Sequence, residues 1–242
     1  MRMIFDKLFK KSYDDFNKLL TELIEKKQKR VIVTANPETF IIANTNTELH
    51  NHLLKDDVII VPDGIGVVKA GNILGYDIKE RITGVEIVDS LLHILNRHPD
   101  KKLYLYGSKK EVMTDMKKYV EVKYSNIIIV GAKDGYNYNE NEVFAEIVKT
   151  SPDLVLVALG IPRQEELILK NISKMKKGIF VGVGGSFDVL SGHKKRAPKI
   201  LIKLNLEWLY RISKEPKRIK RFCQNNIKFM FLIKEGKRRK ND

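Results

Sequence analysis

An aspartate between a proline and two glycines, Pro62-Asp63-Gly64-Ile65-Gly66, directly follows an apolar run at 58–61. A carboxylate held at the mouth of such a turn can take a proton from a hydroxyl, the work of a general base. The plainer alternative is a Pro-Asp-Gly turn with no chemistry. Other polar and glycine residues stand in the same relation to other apolar runs: Thr34-Ala35-Asn36-Pro37, Gly107-Ser108, Gly131 with Asp134-Gly135-Tyr136 beyond it, Gly160-Ile161-Pro162-Arg163-Gln164-Glu165, and Gly184-Gly185-Ser186-Phe187-Asp188. Glycines let a backbone approach a phosphate, and helix N-termini offer N–H donors and positive dipole. Arg81 precedes Gly84 in a polar stretch and suits either a phosphate or plain solvent. Gln164 suits either a ligand or a helix cap, and Gly-Ser is often only a turn.

The elements that must position these residues are legible from pattern. Six apolar runs, at 30–34, 58–61, 103–106, 127–130, 154–158 and 179–183, are rich in Val and Ile and do not alternate with polar residues. Strands covered on both faces read this way. Helical patterns lie between them, among them 37–47, 84–97, 109–122, 140–150 and 164–174. Strand and helix in alternation predict an α/β fold: a Rossmann-like, mostly parallel six-stranded sheet with helices on both faces. In such a sheet ligands bind beyond the carboxyl ends of the strands. All the turns named above would then line one edge.

Several chemistries are disfavoured. Gly182-Val183-Gly184 does not complete a dinucleotide fingerprint, since position 187 is Phe and the acidic residue expected some twenty positions later is missing. There is no Walker loop and no Asp-x-Asp pair to hold a metal on a nucleotide diphosphate. His50 and His52 are two apart on a predicted helix and diverge. The single cysteine, Cys223, leaves no intrachain disulfide and suits a reducing cytoplasm. No signal-peptide core is expected, because Asp6 and lysines interrupt the first residues. No run of about 18 apolar residues predicts a spanning helix.

The net charge of +15 is unevenly spread: residues 193–242 hold 17 Lys and Arg against 4 Asp and Glu, whereas residues 1–192 hold 28 against 26. We therefore divide the chain into a core, 1–192, and a basic helical appendage, 193–242. Two helices are expected in the appendage, at 198–213 and 216–234, the second opened by Pro216. Leu209, Ile212, Ile219, Phe222, Cys223, Ile227, Met230 and Phe231 recur at helical spacing among Arg211, Lys214, Lys217, Arg218, Lys220, Arg221 and Lys228. An interfacial membrane helix, a helix packed on the core with solvated lysines, and a nucleic-acid surface all fit. The aromatic and methionine content favours the membrane over nucleic acid.

Seven motifs in order, Thr34-Ala35-Asn36, Pro62-Asp63-Gly64, Arg81-x-x-Gly84, Leu159-Gly160-x-Pro162-x-Gln164-Glu165, Gly182-Val183-Gly184-Gly185, Arg196-Ala197-Pro198 and Leu206-Glu207-Trp208, make the chain resemble the bacterial WecG/TagA/CpsF glycosyltransferases. The resemblance implies transfer of a sugar, often N-acetylmannosamine, from a UDP donor to undecaprenyl-diphosphate-linked N-acetylglucosamine, with inversion and without a metal or other cofactor. It implies Asp63 as the base and Thr34, Asn36, Arg81 and Gln164 as active-site residues. Gly107, Ser108, Gly131, Tyr136, Gly160, Gly184, Gly185 and Asp188 are the expected binding edge. Arg211, Arg218 and Arg221 would come from an appendage that targets the inner face of the cytoplasmic membrane and closes over the site. Two other classes are weighed against this: a nucleic-acid-binding protein with a degenerate nucleotide fold, and a non-catalytic nucleotide-sugar sensor.

Overall fold

The computed structural model describes residues 1–241, and the side chains of all of these except Arg218 and 237–241. Its centre is a six-stranded sheet: β1 Lys29–Ala35, β2 Val58–Pro62, β3 Lys102–Gly107, β4 Ile128–Lys133, β5 Leu154–Ala158 and β6 Gly178–Gly182. The spatial order is β2-β1-β6-β5-β3-β4, and every pairing is parallel. A parallel pair requires a crossover, and crossovers carry helices over both faces. That is why β5 and β6 are buried along their whole length.

Thirteen α-helices occur among the described residues. On one face lie α1 Arg2–Lys7, α3 Pro37–Thr45, α4 Thr47–Leu53, α5 Ile65–Ile73, α8 Glu140–Thr150 and α9 Arg163–Asn171. Their Phe5, Phe40, Leu53, Val67, Phe144 and Ile168 form one apolar layer with Val31 and Val33 of β1. On the other face lie α2 Tyr13–Glu25, α6 Gly84–Asn96, α7 Lys110–Lys123 and α10 Ser186–Leu190, whose Leu20, Leu91, Met116 and Phe187 pack on Ile32 of β1. The division follows from the pleat, which sends alternate strand residues to opposite faces.

Several predicted boundaries move. The helix expected at 37–47 breaks at Asn46, whose side chain accepts from the Leu49 N–H and starts α4. β4 runs three residues further than predicted, to Lys133. The helix expected at 164–174 ends at Asn171 in a short 3₁₀ turn, Ile172–Lys174. The segment 198–213 splits into α11 Lys199–Lys203 and α12 Glu207–Lys214, with Asn205 at φ 59 between them. The last helix, α13 Arg218–Asn241, starts two residues after Pro216, whose carbonyl accepts from the Ile219 N–H. Residues 13–25, which carried no helix assignment in the sequence, form α2 through a Ser12–Asp15 capping box.

The sheet order opens a crevice. After β1 the chain turns onto the face of α3, and after β6 onto the face of α10. The loops therefore part between the carboxyl ends of these neighbouring strands, as at a topological switch point. Asp63 sits beside it, its N–H donating to the Ala35 carbonyl at 2.9 Å.

Candidate active site

Asp63 follows the last residue of β2 and precedes α5. The Ile82 N–H donates to the Pro62 carbonyl at 2.9 Å, so the loop bearing Arg81 is fastened to the end of β2 next to Asp63. Burial pushes the Asp63 carboxyl up to about 6 from its ordinary 3.8; the charges of Arg211 and Arg81 pull it down in part, and Glu207 and Glu86 push it up. A carboxylate so poised is a better base than an exposed one, and is still ionised at neutral pH.

Two cations flank it, joined by one carboxylate. Glu207 Oε2 accepts from Arg81 Nη2 at 3.1 Å, and Oε1 accepts from Arg211 Nε at 3.1 Å and also from Arg211 Nη2. The Glu207 side chain is only 4% exposed and that of Arg81 13%. Burial raises the Glu207 carboxyl, but Arg211 and Arg81 outweigh it and hold the group below its usual range. Next to this trio, Arg196 Nη2 donates to Glu86 at 2.9 Å, while Glu86 closes the capping box of Thr83 at the start of α6.

The glycine edge is built from β1, β5 and β6. Thr34 Oγ1 donates to the Gly182 carbonyl at 3.2 Å. Gln164 is 1% exposed. Its Oε1 accepts from the N–H groups of Gly160 at 3.1 Å and Gly184 at 3.0 Å, and its Nε2 donates to Glu165 at 2.7 Å. A side chain on Gly182 would stand 2.6 Å from that Nε2, so glycine is required there. Side chains on Gly160, Gly184 or Gly185 would meet nothing within 4 Å. These three backbones border open space, where a ligand can approach them. Glu165 is buried, and burial lifts its carboxyl to about 7 against the lowering bond from Gln164. Its Oε2 has no hydrogen-bond partner among the described residues.

Residues 3–242 match the family model described as "Glycosyl transferase WecG/TagA/CpsF family". The chain belongs to this family. It is 38% identical over 217 residues to the N-acetylglucosaminyldiphosphoundecaprenol N-acetyl-beta-D-mannosaminyltransferase of Bacillus subtilis (strain 168), covering 90% of this chain and 84% of that one. The protein of the same name from Bacillus spizizenii is 38% identical over 203 residues, 84% of this chain and 78% of the relative. That of Staphylococcus aureus (strain MW2) is 38% identical over 209 residues, 86% and 81%.

For this member of the WecG/TagA/CpsF family, the structure gathers Asp63, Arg81, Arg211 and Glu207 at one end of the crevice. Thr34, Gln164, Gly160, Gly184 and Gly185 lie along it. Asn36 stands at the same edge, but its Oδ1 is occupied in capping α3 through the N–H groups of Glu38 and Thr39. Gln164 ties two loops together from a buried position. Gly107, at φ 113, ends β3, and the Ser108 N–H donates to the Ala158 carbonyl at 2.8 Å. Tyr136 is exposed on the loop after β4, where Asp134 accepts from its N–H and from Asn137. Asp188, on α10, pairs with Lys194 at 3.5 Å. Gly131 must be corrected: it lies inside β4 rather than beyond it, opposite Tyr104. A side chain there would approach the Tyr104 ring to 2.1 Å, so this glycine serves packing and is removed from the binding edge.

Arg221 donates to Glu38 at 2.7 Å from Nε, with a side chain 66% exposed. The side chain of Arg218 lies outside the described residues. α13 buries Phe229 and Ile233 in the α3/α5 layer, Phe229 meeting the Phe40 ring at 5.3 Å. Trp208 of α12 stacks on Phe222 of α13 at 5.0 Å. Ile200, Leu204, Leu209, Ile219, Ile227, Met230 and Phe231 remain exposed. The sequence reading passed over Glu86 and Glu38, and gave Glu165 and Glu207, though quoted in motifs, no role of their own. The signal was present for Glu207, one of only 4 acids in residues 193–242 and the centre of the Leu206-Glu207-Trp208 motif.

Proposed function

We propose that this chain is an inverting, metal-independent transferase. It moves N-acetylmannosamine from a UDP donor to undecaprenyl-diphosphate-linked N-acetylglucosamine, in cell-surface polymer synthesis of the teichoic acid type. The observation that carries this is the pairing of a raised carboxylate, Asp63, with two guanidiniums, Arg81 and Arg211, at a switch-point crevice in a chain of this family. The names of the relatives support the donor sugar and the lipid-linked acceptor. Asp63 takes the proton of the acceptor hydroxyl. The hydroxyl oxygen bonds to the anomeric carbon from the face opposite the diphosphate. The bond from that carbon to the diphosphate oxygen breaks, and UDP leaves with the electron pair. The guanidiniums stabilise the charge that develops on the leaving group.

The acceptor is a lipid, and the appendage supports a peripheral place on the inner face of the cytoplasmic membrane. No helix of the described residues is long and apolar enough to cross a membrane. The segment 199–241 instead exposes Ile200, Leu204, Leu209, Met230 and Phe231 within the stretch of 17 Lys and Arg at 193–242. Each cation near an anionic leaflet adds about 1 kcal/mol. The test is a screen of UDP-sugars with a short-chain lipid-diphosphate acceptor, following UDP release with and without EDTA. Release with UDP-N-acetylmannosamine in EDTA is expected. Release with another UDP-sugar only, or only with added magnesium or manganese, would revise the donor or the metal-free step. Sedimentation with anionic liposomes should be weakened by Met230→Ser with Phe231→Ser; unchanged sedimentation would remove this face from docking.

A further inference from the structure

We propose that Glu207 is a positioning residue for this reaction: its carboxylate fixes Arg81 of the core and Arg211 of the appendage in one arrangement, so that both guanidiniums meet the leaving diphosphate together. The inference rests on the glycosyl-transfer reading above.

Glu207 is the first residue of α12, and Arg211 follows one helical turn later on the same helix. Arg81 arrives from a different part of the fold, the loop fastened to β2 by the Ile82 N–H. Each oxygen of the Glu207 carboxylate takes a different arginine. Two guanidiniums brought together without it would repel and turn about their long side chains. With it, the repulsion is offset and both forks are held. The trio keeps a net charge of +1. A guanidinium carries five N–H donors, and Glu207 occupies one of Arg81's and a pair of Arg211's, so the others remain for an anion. Donors set in advance need no rearrangement when charge develops in the transition state.

The same carboxylate is the link through which the appendage reaches the base. Glu207 and Arg211 both act on the charge of Asp63, in opposite senses. The Trp208–Phe222 stack then connects α12 to α13. A segment that carries apolar and basic surface is thus joined to the reacting groups by one buried side chain.

A purely structural ion pair would have the same geometry, so the test separates binding from turnover. Full-length Glu207→Gln and Glu207→Asp are compared with wild type. The measurements are kcat with UDP-sugar and a short-chain acceptor, UDP affinity by calorimetry, and Tm. Glu207→Gln removes the charge that competes for the guanidiniums but loosens their placement. It should bind UDP at least as tightly as wild type while kcat falls about tenfold or more, which corresponds to about 1.4 kcal/mol. Glu207→Asp keeps the charge on a shorter arm and should recover part of the lost kcat. A parallel fall of kcat, UDP affinity and Tm would overturn the proposal, as would an unchanged kcat or loss of the folded state in both variants. If only Glu207→Gln fails to fold, Glu207→Asp decides: lowered kcat with retained UDP binding supports the proposal, and wild-type kcat overturns it. A wild-type chain that neither binds UDP nor transfers sugar strikes the functional reading first, and the inference falls with it.

Discussion

Asp63→Asn should abolish transfer and, at neutral pH, make the protein more stable. Asp63 is held in a place that disfavours its charge, and its carboxyl is lifted from 3.8 to about 6 mainly by burial. A shift of about two units corresponds to roughly 3 kcal/mol. The sign follows from proton linkage. With the folded-state pKa raised, the stabilising contribution of the protonated group is whole below about pH 3.8, where both states hold the proton. It is lost as pH rises toward about 6, because the unfolded chain ionises first. Above about 6 both states are ionised and the whole cost stands. Asparagine keeps the shape and carries no charge, so its advantage should be small near pH 4, grow to pH 6 and level off above. Asp63 keeps some solvent contact, which places the expected plateau at about 1–3 kcal/mol, or a few degrees in Tm for a chain of this size. Thermal unfolding of both proteins at pH 4, 6 and 7.5, beside a UDP-release assay, measures it. The same titration predicts an acid limb near pH 6 in the rate profile of the wild type. An Asn variant that is no more stable at pH 7.5, or equally stabilised at every pH, would refute the burial argument. Activity within about threefold of wild type would refute the base, since a general base contributes about 10²-fold or more.

Gln164→Ala should leave the Gly160 and Gly184 N–H groups without their acceptor, costing about 1–3 kcal/mol for each donor that water cannot reach, and should lower transfer by letting the two loops part; calorimetric unfolding and UDP release check both. Gly131→Ala should lower stability by about 1–3 kcal/mol through overlap with Tyr104 while leaving UDP affinity at the wild-type value, and a loss of UDP binding in a folded variant would return Gly131 to the site. Phe229→Ala should release α13 from Phe40 at a cost of about 3–5 kcal/mol and speed proteolysis of residues 216–241; protection equal to wild type would mean that the helix is held elsewhere.

Much of the architecture was written in local pattern. Runs of Val and Ile without alternation require cover on both faces, and helices between them supply it, so six parallel strands followed from composition and period alone. The shared edge of the proposed site followed as well, because the carboxyl ends of parallel strands lie together, and Asp63, Thr34 and Gly184 lie there. Boundaries were less legible where a single side chain decides them. Asn46 ends one helix and caps the next, and both options look alike in a periodic sequence. Gly131 was misread because a glycine that makes room for an aromatic ring on the neighbouring strand looks like a glycine at a turn. Only tertiary structure decided the strand order, and with it which loops face one another. The meeting of Arg81 with Glu207, 126 residues apart, and of Glu38 with Arg221, 183 apart, has no trace in spacing. Local periodicity records which face of an element is apolar; which distant charge completes a buried one depends on how the faces are stacked.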